Sequence, residues 1–211
     1  MKLYSYWRSS CAWRVRICLQ LKGIDYEYVA VNIAPGVAEQ EQDRYRAENP
    51  MGQVPLLVTD DGVRLAQSVA ILEYLEERYP IPGLLPEEPA QRAAVRELVQ
   101  IVNSGIQPLQ NIKILGEVKD AGGDPQAWGR TVIQRGLDAM EARAKQTAGQ
   151  YLVGDELSLA ELCLVPQLYN ARRFELDLKA WSTLTRVEGL CAEREAFVAA
   201  HPDQQPDVAK S

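Results

Sequence analysis

The 211-residue chain sets 23 Lys and Arg against 29 Asp and Glu, a formal net charge of −6, with 46% hydrophobic and 25% charged residues. That composition excludes a disordered, collagen-like or disulfide-knotted chain, and the acidic balance argues against a general nucleic-acid binder. At about 100–200 residues per domain, the length allows one large domain or two small ones.

No apolar run approaches the ~18 residues that span a bilayer. The start, MKLYSYWRSSCAWRVR, lacks the apolar segment and cleavage site of a secretory leader. A cytoplasmic protein with no membrane partner is therefore expected. Cys11, Cys18, Cys163 and Cys191 show neither CxxC nor paired metal spacing, and His201 is the sole histidine. A metal site or a histidine-based triad has almost nothing to be built from. Chemistry must come from serine, cysteine, arginine, amides or a borrowed cofactor.

In chain order, residues 1–80 mix short apolar runs (Lys2–Tyr6, Tyr26–Val31, Val54–Val58) with helical stretches. Turn signals at Lys22-Gly23, Pro35-Gly36, Asn49-Pro50 and Asp60-Asp61-Gly62 separate them. The order strand, helix, strand, helix, strand, strand, helix predicts a small α/β domain. One segment reads two ways. Trp13, Val15, Ile17, Leu19 and Leu21 alternate like a strand. Ser9 and Ser10 as N-caps and Lys22-Gly23 as a stop instead predict a helix with Cys11, Val15, Cys18 and Leu19 on one face. The helix is preferred, mainly on the resemblance described below.

Residues 81–89 form a linker, where Pro82, Pro86 and Pro89, with Pro80 just before them, halt helices. Beyond it, 90–119, 125–147 and 158–171 carry helical spacing, broken at Gly122-Gly123-Asp124-Pro125. Ser158 and Glu161 fit a capping box. Residues 90–211 are thus predicted to be an all-α domain.

The stretch Ser9-Ser10-Cys11-Ala12-Trp13-Arg14-Val15-Arg16-Ile17 resembles the signature of zeta-class glutathione transferases. So do Asn49-Pro50 with Gln53-Val54-Pro55, Gln67-Ser68 opening a helix, and Gly105 to Asn111. Leu162 to Gln167, Asn170 to Phe174 and Gln205-Pro206-Asp207 extend the likeness over nearly the whole chain. The resemblance implies a thioredoxin-like α/β N-terminal domain followed by an all-helical domain, assembled as a homodimer, with glutathione as cofactor. It places glutathione at Ser9, Ser10, Gln53, Val54, Pro55, Gln67, Ser68, Gln107 and Asn111, with a cis Val54-Pro55 bond. Gln107 and Asn111, four apart, would share a helix face.

Ser9, Ser10 and Cys11 are the catalytic candidates. Unpaired amides and the dipole at a helix start favour an anion such as a bound thiolate. Both serines also fit plain capping, and Cys11 fits a nucleophile or a thiol lining the site. Cys18, Cys163 and Cys191 lie in apolar helical contexts and are expected in the core. The implied activity is cis–trans isomerisation of maleylacetoacetate to fumarylacetoacetate in tyrosine and phenylalanine breakdown. That substrate is a diacid, and Arg173 and Arg8 are the candidates for its carboxylates. Rival readings are isomerisation of maleylpyruvate, a transferase acting on α-haloacids, and a binding module without turnover.

Overall fold

The computed structural model describes residues 1–208, divided into two compact units that part between Pro82 and Gly83. The first begins β1 (Lys2–Ser5), α1 (Ser10–Leu21), β2 (Glu27–Ala30), α2 (Asp43–Arg46), β3 (Leu56–Val58), β4 (Arg64–Ala66) and α3 (Ser68–Arg78). This is the element order that the sequence predicts. The sheet runs β2-β1-β3-β4. β1 pairs parallel to β2, from Lys2 opposite Glu27 to Ser5 opposite Ala30, while β3 runs antiparallel to both β1 and β4. Leu3, Leu56 and Leu57 are buried in the sheet's core.

α1 is a helix, the reading preferred from the resemblance: Ser9 caps it, and Gly23 follows at φ +63°, a left-handed conformation natural to glycine. Its misleading alternation has a physical cause. α1 packs against α3 and against α9 (Glu195–Ala200), and every residue from Ala12 to Leu19 is buried. A helix covered all round shows no amphipathic stripe. Arg14 and Arg16 lie in that buried stretch.

The second unit, Gly83–Ala192, is helical: α4 (Pro89–Gln100), a π-helical turn (Ile101–Ile106), α5 (Ile112–Asp120), α6 (Pro125–Thr147), α7 (Leu159–Arg173) and α8 (Ser182–Ala192). Val95, Leu98, Val102, Ile106, Ile133, Leu137, Leu162 and Leu168 are among its buried core. The π-turn lies so near α6 that a Cβ on Gly136 would collide with the Ile106 side chain.

Two expectations are corrected. The helix predicted over 90–119 breaks between residues 101 and 111. The Gln107 amide reaches back to the Val102 carbonyl at 2.9 Å, Pro108 has no amide to continue the ladder, and Asn111 is extended at φ −63°, ψ 145°. Apolar spacing runs on through the break, so periodicity conceals it. The second correction concerns the predicted helical domain 90–211. From Glu193 the chain belongs with the first unit, where Phe197 and Ala200 of α9 are buried. Helical pattern predicts an element's type, not the unit it joins.

Candidate functional site

The loop from β1 to α1 ends in Ser9, whose amide donates to the Tyr6 carbonyl at 3.0 Å. Its Oγ caps α1 by accepting the Ala12 amide at 3.2 Å. A hydroxyl that accepts one amide still has its own proton to donate, so capping and thiolate donation are compatible. No acidic residue lies in α1's first turn, which leaves the positive end of a twelve-residue helix without a built-in anion. Ser9 and Cys11 are half-buried and Ser10 is 9% exposed. Arg8 lies 5.2 Å from the centre of the Trp7 ring, over which it stacks.

The Val54-Pro55 bond is cis, as the resemblance implies. Just before it, the Gln53 backbone carbonyl accepts from the Tyr45 hydroxyl at 2.7 Å and from Asn49 Nδ2 at 2.6 Å. Val54 shares a buried cluster with Tyr6, Val31 and Tyr45, so this segment packs against the loop leading to Ser9. At the start of α3, Gln67 is exposed and sits at φ +71°, ψ 112°. That left-handed φ strains any residue with a Cβ, and such strain collects at functional sites. Ser68 is buried and its Oγ accepts from Arg14 Nη1 at 3.2 Å. The fold thus brings the Ser9 loop, the Gln53–Pro55 segment and the Gln67–Ser68 helix start together within one unit.

In the helical unit, Gln107 and Asn111 do not share a helix face, as the break described above dictates. Gln107 closes the π-turn. Asn111 caps α5 through its side-chain oxygen, which accepts the Lys113 amide at 3.0 Å. At the end of α7, Arg172 makes a two-pronged pair with Glu188, both contacts at 2.6 Å. Arg173 is exposed, and its Nη1 donates to Asn170 Oδ1 at 3.3 Å.

Cys18, Cys163 and Cys191 are fully buried, and burial pushes the Cys18 thiol up to about 12. Among the described residues, no group of three or more His, Cys, Asp or Glu could hold a metal ion. No described helix is long and apolar enough to cross a membrane. Sequence reasoning missed Arg14 and Arg16. The available signal was two arginines inside an otherwise apolar helix, since a fully buried arginine occurs almost only where partners hold it.

Residues 8–78 match the family model for the glutathione S-transferase N-terminal domain, and residues 65–202 that for its C-terminal domain. The chain is 48% identical over 206 residues to maleylacetoacetate isomerase of Rattus norvegicus, covering 98% of this chain and 94% of that protein. Among solved structures, maleylacetoacetate isomerase from Anaeromyxobacter dehalogenans 2CP-1, with GSH bound in its active site, has 52% sequence identity and a TM-score of 0.89. That likeness covers 98% of this chain and 97% of the other. A holo maleylpyruvate isomerase, described as a bacterial zeta-class glutathione S-transferase, matches with a TM-score of 0.93 at 43% identity over 98% and 99% of the two chains.

Proposed function

The chain belongs to the glutathione S-transferase family, and on that premise we propose that it is a glutathione-dependent isomerase converting maleylacetoacetate to fumarylacetoacetate in tyrosine and phenylalanine breakdown. The observation that carries this reading is the start of α1. It presents a serine cap with a proton to donate, no first-turn carboxylate, and a long helix behind it.

The residues present fit glutathione. Ser9 suits the sulfur, the backbone of Val54 beside cis-Pro55 suits the peptide, and Gln67 with Ser68 at the start of α3 suits a carboxylate. Bound there, glutathione supplies a thiolate whose reversible addition makes the substrate's double bond single long enough for rotation. The protein's part is to favour that ionised form. Lowering a thiol pKa by about two units takes ~2.7 kcal/mol. A helix dipole gives ~0.3–1 kcal/mol, and a hydrogen bond to a charged sulfur about 1.5–3 kcal/mol. Together they suffice; the dipole alone does not. Ser9 is the preferred donor, because it is half-buried while Ser10 is 9% exposed. Ser10 and Cys11 line the same helix start.

Arg173 and Arg8 hold the substrate's two carboxylates, and charge held near the conjugated carbonyl stabilises the negative charge that develops there. Gln107 and Asn111 add polar contacts to glutathione, with Asn111 using its amide N–H, since its oxygen is engaged in the cap. The same reading makes the protein cytoplasmic and a homodimer; cell fractionation tests the first and analytical ultracentrifugation the second.

Maleylpyruvate is the second substrate reading, favoured by the fold likeness to a maleylpyruvate isomerase. Side-by-side turnover of the two diacids, with and without glutathione, separates them. Faster, glutathione-dependent turnover of maleylacetoacetate, with no net loss of glutathione, is expected. Equal rates after complete removal of thiols would overturn the mechanism. Glutathione binding with turnover of neither diacid would point to an α-haloacid transferase or a binding module.

A further inference from the structure

The loop that carries Ser9 is gripped by Arg16, from the helix it leads into, and by Asp207, about two hundred residues away. Arg16 is fully buried. Its Nη1 donates to Ser5 Oγ at 3.1 Å and to the Tyr6 carbonyl at 3.3 Å, and its Nη2 to the Trp7 carbonyl at 2.9 Å. Its Nε reaches the Ala200 carbonyl at the end of α9, at 3.2 Å. From the chain's tail, Asp207 Oδ2 accepts the Trp7 amide at 3.0 Å, while Oδ1 accepts the Tyr28 hydroxyl at 2.8 Å. Both polar groups of the Trp7 backbone are therefore held by charged side chains. The Tyr6 carbonyl that Arg16 holds also accepts the Ser9 amide, at 3.0 Å.

We propose that Arg16 and Asp207 are positioning residues, a clasp that fixes the Tyr6–Ser9 loop and so places the Ser9 hydroxyl for the thiolate. The inference rests on the reading of Ser9 given above. Stability alone is a poor reason for the arrangement. Burial drags the Arg16 guanidinium down to about 10, against the pull of Tyr28, Tyr26 and Asp207, and buried ionic groups are often matched or bettered by apolar residues of similar volume. What an apolar residue cannot do is hold Ser5 Oγ and the Tyr6, Trp7 and Ala200 carbonyls at once. The fork of the guanidinium does so with directional bonds, and the tail brings Asp207 to the adjoining amide.

The test is ultraviolet titration of the thiolate of saturating bound glutathione in the unaltered protein, Arg16→Lys and Tyr28→Phe, with melting temperatures recorded alongside. Arg16→Lys keeps the charge, so a shift reports geometry and not the lost field of a cation. In the unaltered protein the bound thiol titrates below free glutathione. In Arg16→Lys it rises by about one unit, a roughly tenfold smaller ionisation constant, and the pH–rate profile moves to the alkaline side. Tyr28→Phe removes the hydroxyl that holds Asp207 and also contacts Ser5, leaves Arg16 itself intact, and gives a smaller shift of the same sign. Should Arg16→Lys fail to fold, Tyr28→Phe decides. Lower melting temperatures with an unmoved thiol pKa would overturn the clasp and leave Ser9 in place. An undepressed thiol in the unaltered protein would overturn the Ser9 reading itself, and the clasp with it.

Discussion

The helix starts of α1 and α3 are finished differently from those of α4, α6 and α7. In the helical unit each of four helices brings its own cap. Glu88 accepts the Ala90 and Gln91 amides ahead of α4, Asp124 those of Gln126 and Ala127 ahead of α6, Asn111 that of Lys113 ahead of α5, and Ser158 that of Ala160 ahead of α7. α7 is the most closed. Glu161 Oε1 accepts the Leu152 amide and Oε2 the amide and hydroxyl of Ser158, all at 2.8 Å. Burial pushes the Glu161 carboxyl above its ordinary range, with those donors pulling the other way. In the first unit, α1 is capped by the neutral Ser9 and α3 has no side-chain cap bond from Gln67, and neither has an acid at its cap or in its first turn; α5, capped by the neutral Asn111, shares that lack. The same local physics thus serves two ends. Where the protein supplies the anion, a helix start is a folding device; where it withholds the anion, the start can receive one from a ligand.

The largest effect that can break this contrast belongs to the closed end. Glu161→Ala orphans the buried amides of Leu152 and Ser158. At about 1–3 kcal/mol for each unsatisfied group, the loss of stability should be about 2–6 kcal/mol. Urea denaturation measures it, and kcat per folded molecule should stay unchanged. A fall in kcat without a fall in stability would erase the distinction between the two kinds of start.

Ser9→Ala should do the reverse. Losing a cap costs about 0.5–2 kcal/mol of stability. Losing a hydrogen bond to the charged sulfur costs about 1.5–3 kcal/mol, roughly ten- to a hundred-fold in the thiol's ionisation constant. The thiol's pKa in the complex rises, so activity is retained at alkaline pH and lost first near neutrality. Ser158→Ala serves as the control: a capping serine whose removal moves melting temperature but not the pH–rate profile. Identical profiles for Ser9→Ala and the unaltered protein would reassign the sulfur to backbone amides, Ser10 or Cys11.

Much of this contrast was legible in the sequence because caps are local. Ser9, the Lys22-Gly23 stop and the Ser158–Glu161 box each act within a turn of the residues that announce them. What escaped was long-range or hidden by pattern. The break between residues 101 and 111 escaped because Val102, Ile106 and Leu109 keep helical spacing through it. Arg14 and Arg16 read as ordinary helix arginines, since only packing from α3 and α9 removes them from water. The return of the tail from Glu193, which brings Asp207 to Trp7 and Tyr28, is a tertiary contact with no local signature. The left-handed backbone of Gln67 was equally invisible, because nothing about glutamine announces a positive φ.

At the other end of α7, the comparison can be sharpened with Arg173→Lys. The closed start of this helix serves folding, whereas its last turn carries two exposed arginines, Arg172 in a two-pronged pair with Glu188 and Arg173 donating to Asn170 Oδ1. If Arg173 holds a substrate carboxylate, lysine loses the planar double contact. Catalytic efficiency on the diacid should fall ten- to a hundred-fold, about 1.5–3 kcal/mol. Glutathione affinity, measured by calorimetry, should hardly move. Intact turnover in both Arg173→Lys and Arg173→Ala would leave Arg8 as the carboxylate contact.

The smallest effect concerns the open start of α3, and its sign is the informative part. Gln67 holds φ +71°, ψ 112°, a conformation that costs a residue with a Cβ about 1–3 kcal/mol. Glycine adopts it freely, but glycine also loosens the unfolded chain, which costs about 0.4–1 kcal/mol. Gln67→Gly should therefore stabilise the fold by about 1 kcal/mol in urea denaturation, the balance of those two terms. If the strained backbone serves to aim the Gln67 side chain and the first amides of α3 at glutathione, the same change should weaken glutathione binding. One lost hydrogen bond of about 0.5–1.5 kcal/mol corresponds to a few-fold to roughly tenfold loss of affinity. A protein made more stable yet weaker in binding is the signature of a helix start strained for its ligand. A substitution that stabilises the fold and leaves binding untouched would make Gln67 a mere turn residue, and would confine the open-start argument to α1.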